Sequence, residues 1–85
     1  MKSIEIEEVK NAVLAKLRDL ISDKSLIIGD QTLLISDNWL DSMDLLTLIS
    51  WAEDTYGITL DPGSLTPENF ETPDTITSLI TKART

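Results

Sequence analysis

Between Asp41 and Gly57 the apolar residues Leu45, Leu48, Ile49, Ala52 and Tyr56 recur at three- and four-residue steps. That is the period of an α-helix with one face turned to a core. The segment is bounded on both sides: Asp41 or Ser42 offers a capping side chain at its start, and Gly57 offers a left-handed stop at its end. A helix over about 42–56 therefore organises the chain, and the remaining elements must cover its stripe.

Ile6, Val9, Val13, Leu17 and Leu20 repeat at helical steps with Glu7, Lys10, Lys16 and Arg18 elsewhere, which predicts a helix over about 3–21. Ser3 is its expected cap, the early Glu residues meet the positive end of the dipole, and Lys16 and Arg18 lie toward the negative end. Thr72-Pro73-Asp74 places a capping Thr before a Pro in the first helical position, and Ile76, Leu79, Ile80 and Ala83 give the stripe of a closing helix over about 73–83. Thr66-Pro67-Glu68 has the same grammar and predicts a short helix over about 67–70, after the turn signal Asp61-Pro62-Gly63.

Residues 22–40 have no helical period and read as a long loop held to the core. The clusters Leu26-Ile27-Ile28 and Leu33-Leu34-Ile35 allow a β-hairpin as the competing reading, but two short strands would need a sheet that the rest of the chain does not supply. A loop of this length in a small domain usually has a function. The expected fold is all-α: a small four-helix bundle, three main helices plus one short one, with a long first loop, in a single domain over residues 1–85. The apolar content, 41% of residues with only 5% aromatic, lies mainly in Leu, Ile and Val and suits such a bundle.

The formal charge of -8, from 15 acidic and 7 basic residues, opposes binding to nucleic acid and to anionic membranes. A basic protein partner is the natural complement; the alternative is that the acidity serves solubility alone. Without Cys or His the chain has no disulfide, no thiolate or imidazole metal ligand and no His-assisted nucleophile, so an enzyme is not expected. Asp37, Asp41 and Asp44 stand at a helix start, where capping explains them more simply than paired-carboxylate catalysis, and no acid run has the order of a calcium loop. No metal is expected. The chain has neither a membrane-length apolar run nor a secretory apolar stretch, and a cytoplasmic, monomeric protein is expected.

Ser42 stands where the long loop meets the most strongly patterned helix, so its hydroxyl is expected to be exposed beside amides that favour an anion. Taken alone, Asp-Ser ahead of a helix reads as a cap. Its surroundings say more. Asn38-Trp39-Leu40-Asp41-Ser42-Met43, followed by Leu45, Leu46, Leu48, Ile49, Glu53, Tyr56, Gly57 and Ile58, resembles the modification site and second helix of acyl and peptidyl carrier proteins. The resemblance continues through Leu65-Thr66-Pro67-Glu68-Asn69-Phe70 and through Thr75-Ile76 with Leu79-Ile80, nearly the whole chain, and Leu-Asp-Ser-Met looks most like stand-alone carriers, including D-alanyl, polyketide and nonribosomal peptide carriers.

The resemblance implies that Ser42, flanked by Asp41, accepts 4′-phosphopantetheine from coenzyme A through a separate phosphopantetheinyl transferase. The arm would supply the thiol this Cys-free chain lacks and carry acyl or aminoacyl groups as thioesters. It implies further partners: an acyl- or aminoacyl-activating loading enzyme and a downstream synthase or transferase. In that family the second helix is the main recognition element. Here Asp41, Asp44, Glu53 and Asp54 would offer charge and Met43 and Leu46 apolar contact; equally, the acids can serve as cap and solvated face, and Met43 can tuck against the loop.

Many such carriers have Gly where this chain has Asn38, a residue that also tolerates left-handed backbone. Trp39 is expected to pack on the core, with a partner surface as the alternative, whereas Trp51 projects off the stripe and is expected to be exposed or to lie over loop residues. The second helix lacks a dense Glu pattern, and the chain ends near Lys82 without a linker, which lean toward a stand-alone secondary-metabolite carrier. The rival reading is an acidic helical interaction module that is never modified.

Overall fold

Among the described residues three α-helices and two 3-10 turns account for the regular structure, and no strand occurs. The structure, a computed structural model, describes residues 2–84, with side chains from Glu5 onward. Helix α1 runs over Lys2–Leu20, α2 over Ser42–Tyr56 and α3 over Pro73–Arg84, with 3-10 turns at Pro62–Ser64 and Pro67–Phe70. Among the described residues no helix is long and apolar enough to cross a membrane.

The three stripes meet as their periods require. Val9, Val13 and Leu17 of α1, with Ile21 just beyond it, are buried against Leu48 and Ala52 of α2 and Ile76 and Ile80 of α3. The loop adds Leu34 and Leu40, and the second 3-10 turn adds Phe70. Each such aliphatic side chain is worth roughly 1.5–3 kcal/mol relative to exposure, so these residues are what holds the helices together. The Cα radius of gyration is 12.0 Å, close to the ~12 Å of a fully condensed chain of this length.

The ends of the helices depart from expectation in places. Ser3 lies inside α1 rather than ahead of it, and its side chain, with the capping role expected of it, falls outside the described residues. Ile6 is 43% exposed and Ala83 is exposed, so the stripes of α1 and α3 are not buried at the ends where Arg84 meets Glu5. At Thr66 the expected side-chain cap is missing; the turn closes instead through the Asn69 N–H donating to the Thr66 carbonyl at 3.1 Å. Thr72 does cap α3: its hydroxyl accepts from the Thr75 N–H, and the Thr75 hydroxyl accepts from the Thr72 N–H, both at 3.1 Å. The turn expected at Asp61-Pro62-Gly63 tightens into the Pro62–Ser64 3-10 turn.

The segment between α1 and α2 is a loop held to the rest of the chain, as its pattern predicts, and not a hairpin. Its backbone is anchored at residues 71–74: the Leu34 N–H donates to the Glu71 carbonyl at 2.7 Å and the Asp74 N–H donates to the Asp30 carbonyl at 3.1 Å. The Ser36 N–H donates to the Glu71 carboxylate at 3.0 Å. Lys10 bridges Asp30 at 3.0 Å and Asp74 at 3.6 Å, tying α1, loop and α3 at one point. Asp30 holds the Lys10 ammonium above the ordinary lysine range, chiefly through their hydrogen bond.

Candidate functional site at the start of helix α2

The chain reaches α2 through a turn over 34–38, in which the Asn38, Trp39 and Leu40 N–H groups donate back to Ile35 and Leu34 carbonyls at 2.9 to 3.1 Å. Closing that turn requires Asn38 at φ +60°, a left-handed conformation that Asn adopts at low cost. Leu34 and Leu40, both buried, fix the turn from below, and the half-buried Trp39 packs against the core beside them.

Asp41 then caps α2. Its carboxylate accepts from the Asp44 N–H at 2.9 Å, while the Asp44 carboxylate accepts from the Asp41 N–H at 3.2 Å. This reciprocal box resolves the choice left open by the sequence: Asp41 is the cap, and Ser42 is the first helical residue. Ser42 is exposed, and its hydroxyl has no hydrogen-bond partner among the described residues. The Ser42 and Met43 N–H groups are likewise open at the positive end of the helix, while the Leu45 N–H goes to the Asp41 carbonyl at 3.0 Å. Ser42 thus presents an unused hydroxyl beside unpaired amide donors, though two carboxylates offset part of the helix-end field.

The other candidate residues divide into two groups. Met43, 69% exposed, and Leu46, 60% exposed, stand outward on the helix with Asp54, also exposed. Met43 does not tuck under the loop. Asp44 is half-buried and held by the capping box, and Glu53 is half-buried with its carboxylate accepting from the buried Leu60 N–H at 2.9 Å. Glu53 therefore serves the connection after α2 rather than standing free for a partner. The helix ends at Gly57, φ +61°, whose N–H donates to the Glu53 carbonyl.

Trp51 differs from expectation. It is half-buried against the core and meets Tyr56 edge-on, with ring centroids 5.9 Å apart and planes at 84°. Arg84 lies 5.1 Å from the Tyr56 ring centroid and binds Glu5 at 2.8 Å, so the helix ends close over these rings. Residues that local pattern did not single out hold the approach to Ser42, above all Glu71, whose partners are distant in the chain. A polar groove of about 470 Å3 lined by Gln31, Ser64, Asn69, Asp74 and Lys82 contains none of the site residues.

Comparison with protein-family models, with curated proteins and with solved structures finds no match to this chain.

Proposed function

We propose that this chain is a carrier protein of the acyl and peptidyl carrier type, modified at Ser42 by 4′-phosphopantetheine from coenzyme A. The observation that carries the reading is the state of Ser42: exposed, first in its helix, and released from capping by the Asp41–Asp44 pair. The residues present fit the group. The hydroxyl can form the phosphodiester, and the open amides of Ser42 and Met43 can face its anionic oxygens. When bound, the arm supplies the thiol on which an acyl or aminoacyl group travels as a thioester.

The chain's own part is presentation. The Asn38 turn and the buried Leu34 and Leu40 fix the start of α2, so the attachment point is rigid while the arm is free to reach partners. Met43, Leu46 and Asp54 form the face that a phosphopantetheinyl transferase, a loading enzyme and a downstream synthase or transferase would meet, with Asp41 and Asp44 adding charge at its upper end. In this reading the Pro67–Phe70 turn takes the place of a short third helix, completing a three-plus-one four-helix bundle. The protein works in the cytoplasm, in secondary metabolism of the polyketide or nonribosomal peptide kind.

Intact mass after incubation with a broad-specificity transferase, coenzyme A and Mg²⁺ tests the reading. Wild type is expected to gain one phosphopantetheine and Ser42→Ala none. Because Asp41 is the cap, Ser42→Ala is expected to change stability by no more than about 0.5 kcal/mol, so loss of modification is not loss of fold. A folded wild type that stays unmodified with several transferases would replace this reading with that of an unmodified acidic interaction module.

A further inference from the structure

On a surface that shares no residue with the α2 face, the second half of α1 and the loop after it enclose an open groove of about 460 Å3. Leu14, Ala15, Leu26 and Ile28 line it, and Ile27 stands at its edge 89% exposed. An aliphatic side chain left almost wholly in water at a groove edge forgoes roughly 1.5–3 kcal/mol of burial, which a partner can recover.

The rim is basic in a chain whose net charge is -8. Arg18 and Lys24 both line the groove. Arg18 donates to the Asp23 and Leu26 carbonyls, and Lys24 donates to the Arg18 and Ile21 carbonyls. These bonds fix the two side chains without neutralising them, and neither forms a salt bridge among the described residues. Asp23, beside Arg18, offsets part of the positive charge but turns its carboxylate to the Ser25 amide and hydroxyl.

The same chain carries a matching surface. Met43 and Leu46 are exposed apolar side chains on the helix that carries Asp41 and Asp44 at its start and Asp54 about two turns beyond Leu46. Apolar contact with an acidic border on α2 complements apolar contact with a basic border at the groove.

We infer that the groove between α1 and the loop receives the α2 face of a second copy of this chain. Met43 and Leu46 of one copy cover Ile27 of the other, with Arg18 and Lys24 opposite the α2 carboxylates. The inference does not depend on modification of Ser42, but the pairing would cover that residue's surroundings. Two copies of net charge -8 repel, and the patch is small, so the contact is weak and a dilute solution is monomeric. At about 0.15 M salt, charges more than ~8 Å apart are largely screened while touching groups are affected less. Pairing should therefore be stronger there than at low salt.

The test is a dilution series of unmodified protein followed by backbone amide NMR. With rising concentration, two sets of resonances are expected to shift together, one over residues 14–28 and one over residues 42–54. Ile27→Asp and Leu46→Asp, both at exposed positions, should each abolish the shifts without unfolding the protein. Mixing the two variants should restore one intact contact. Labelled Leu46→Asp protein should then shift at 14–28 when unlabelled Ile27→Asp protein is added, and the reverse labelling should show shifts at 42–54. Spectra unchanged by concentration, shifts confined to one set, or variants that fail to complement would overturn the pairing and leave the groove to a partner of another sequence.

Discussion

Asp41 and Asp44 cap each other across the first turn of α2, at 2.9 and 3.2 Å, and by doing so release the serine between them. A hydroxyl engaged as a helix cap would have to give up its hydrogen bond before reacting. Here the capping task and the candidate attachment task fall on neighbouring residues, so a change at one can be made without removing the other.

Replacing Asp41 by Ala should therefore destabilise the protein by about 1 kcal/mol, while Asn should retain most of the cap. Urea unfolding followed by circular dichroism measures the difference. On the carrier reading, Asp41→Ala protein that remains folded should still accept the phosphopantetheine at Ser42, but more slowly than wild type because a charge is lost from the face the transferase would meet.

At Asn38 the backbone is left-handed, at φ +60°. Asn38→Gly should be tolerated to within about 0.5 kcal/mol, whereas Asn38→Val should cost about 1–2 kcal/mol because a β-branched side chain is strained there. Thermal denaturation separates the two, and an equal effect of Gly and Val would show that this turn does not set the requirement.

The tie from Glu53 to Leu60 predicts a stability effect for a residue that the resemblance to carriers would offer to a partner as charge. Glu53→Ala should cost about 1–3 kcal/mol by leaving a buried N–H without an acceptor. Glu53→Gln, which keeps an acceptor oxygen, should recover most of that loss. If both variants unfold with wild type, the bond contributes little.

Tyr56 is the only tyrosine in the chain, so its phenol can be titrated directly by absorbance. Burial raises its pKa above the ordinary tyrosine range, partly opposed by Arg84. The midpoint should lie above about 10 in the folded protein and return to about 10 in denaturant. Because the folded pKa is the higher, the neutral phenol's contribution to stability is complete below the unfolded value and declines as pH rises through the folded one. Tyr56→Phe should lessen the alkaline loss of stability, and Lys10 should account for part of what remains.

Much of this architecture follows from local pattern. Leu45, Leu48 and Ala52 have one period and one plausible partner surface, and Asp41, Gly57, Thr72 and Pro73 mark boundaries through bonds made within a few residues. The exposed hydroxyl of Ser42 was legible for the same reason. What local pattern misses depends on distant partners. Glu53 looks like a solvated acid until the chain turns at Gly57 and returns Leu60 to it, and Trp51 looks exposed until Tyr56 lies against it. Glu71 carries no motif at all; its role exists only because Leu34 and Ser36 are folded beside it.

The anchoring of the loop at Glu71 also sets an order of events during synthesis. Leu34 and Ser36 lie ahead of Ser42, yet the groups that satisfy their amides leave the ribosome well after α2 does. While residues 71–74 are still in the exit tunnel, the turn over 34–38 has its own internal bonds but the Leu34 and Ser36 amides lack the acceptors that pin it to the rest of the chain. On the carrier reading, a transferase that reads this shape would have to wait for residues 71–74, so modification at Ser42 would report that the loop has been pinned and not merely that α2 has been made.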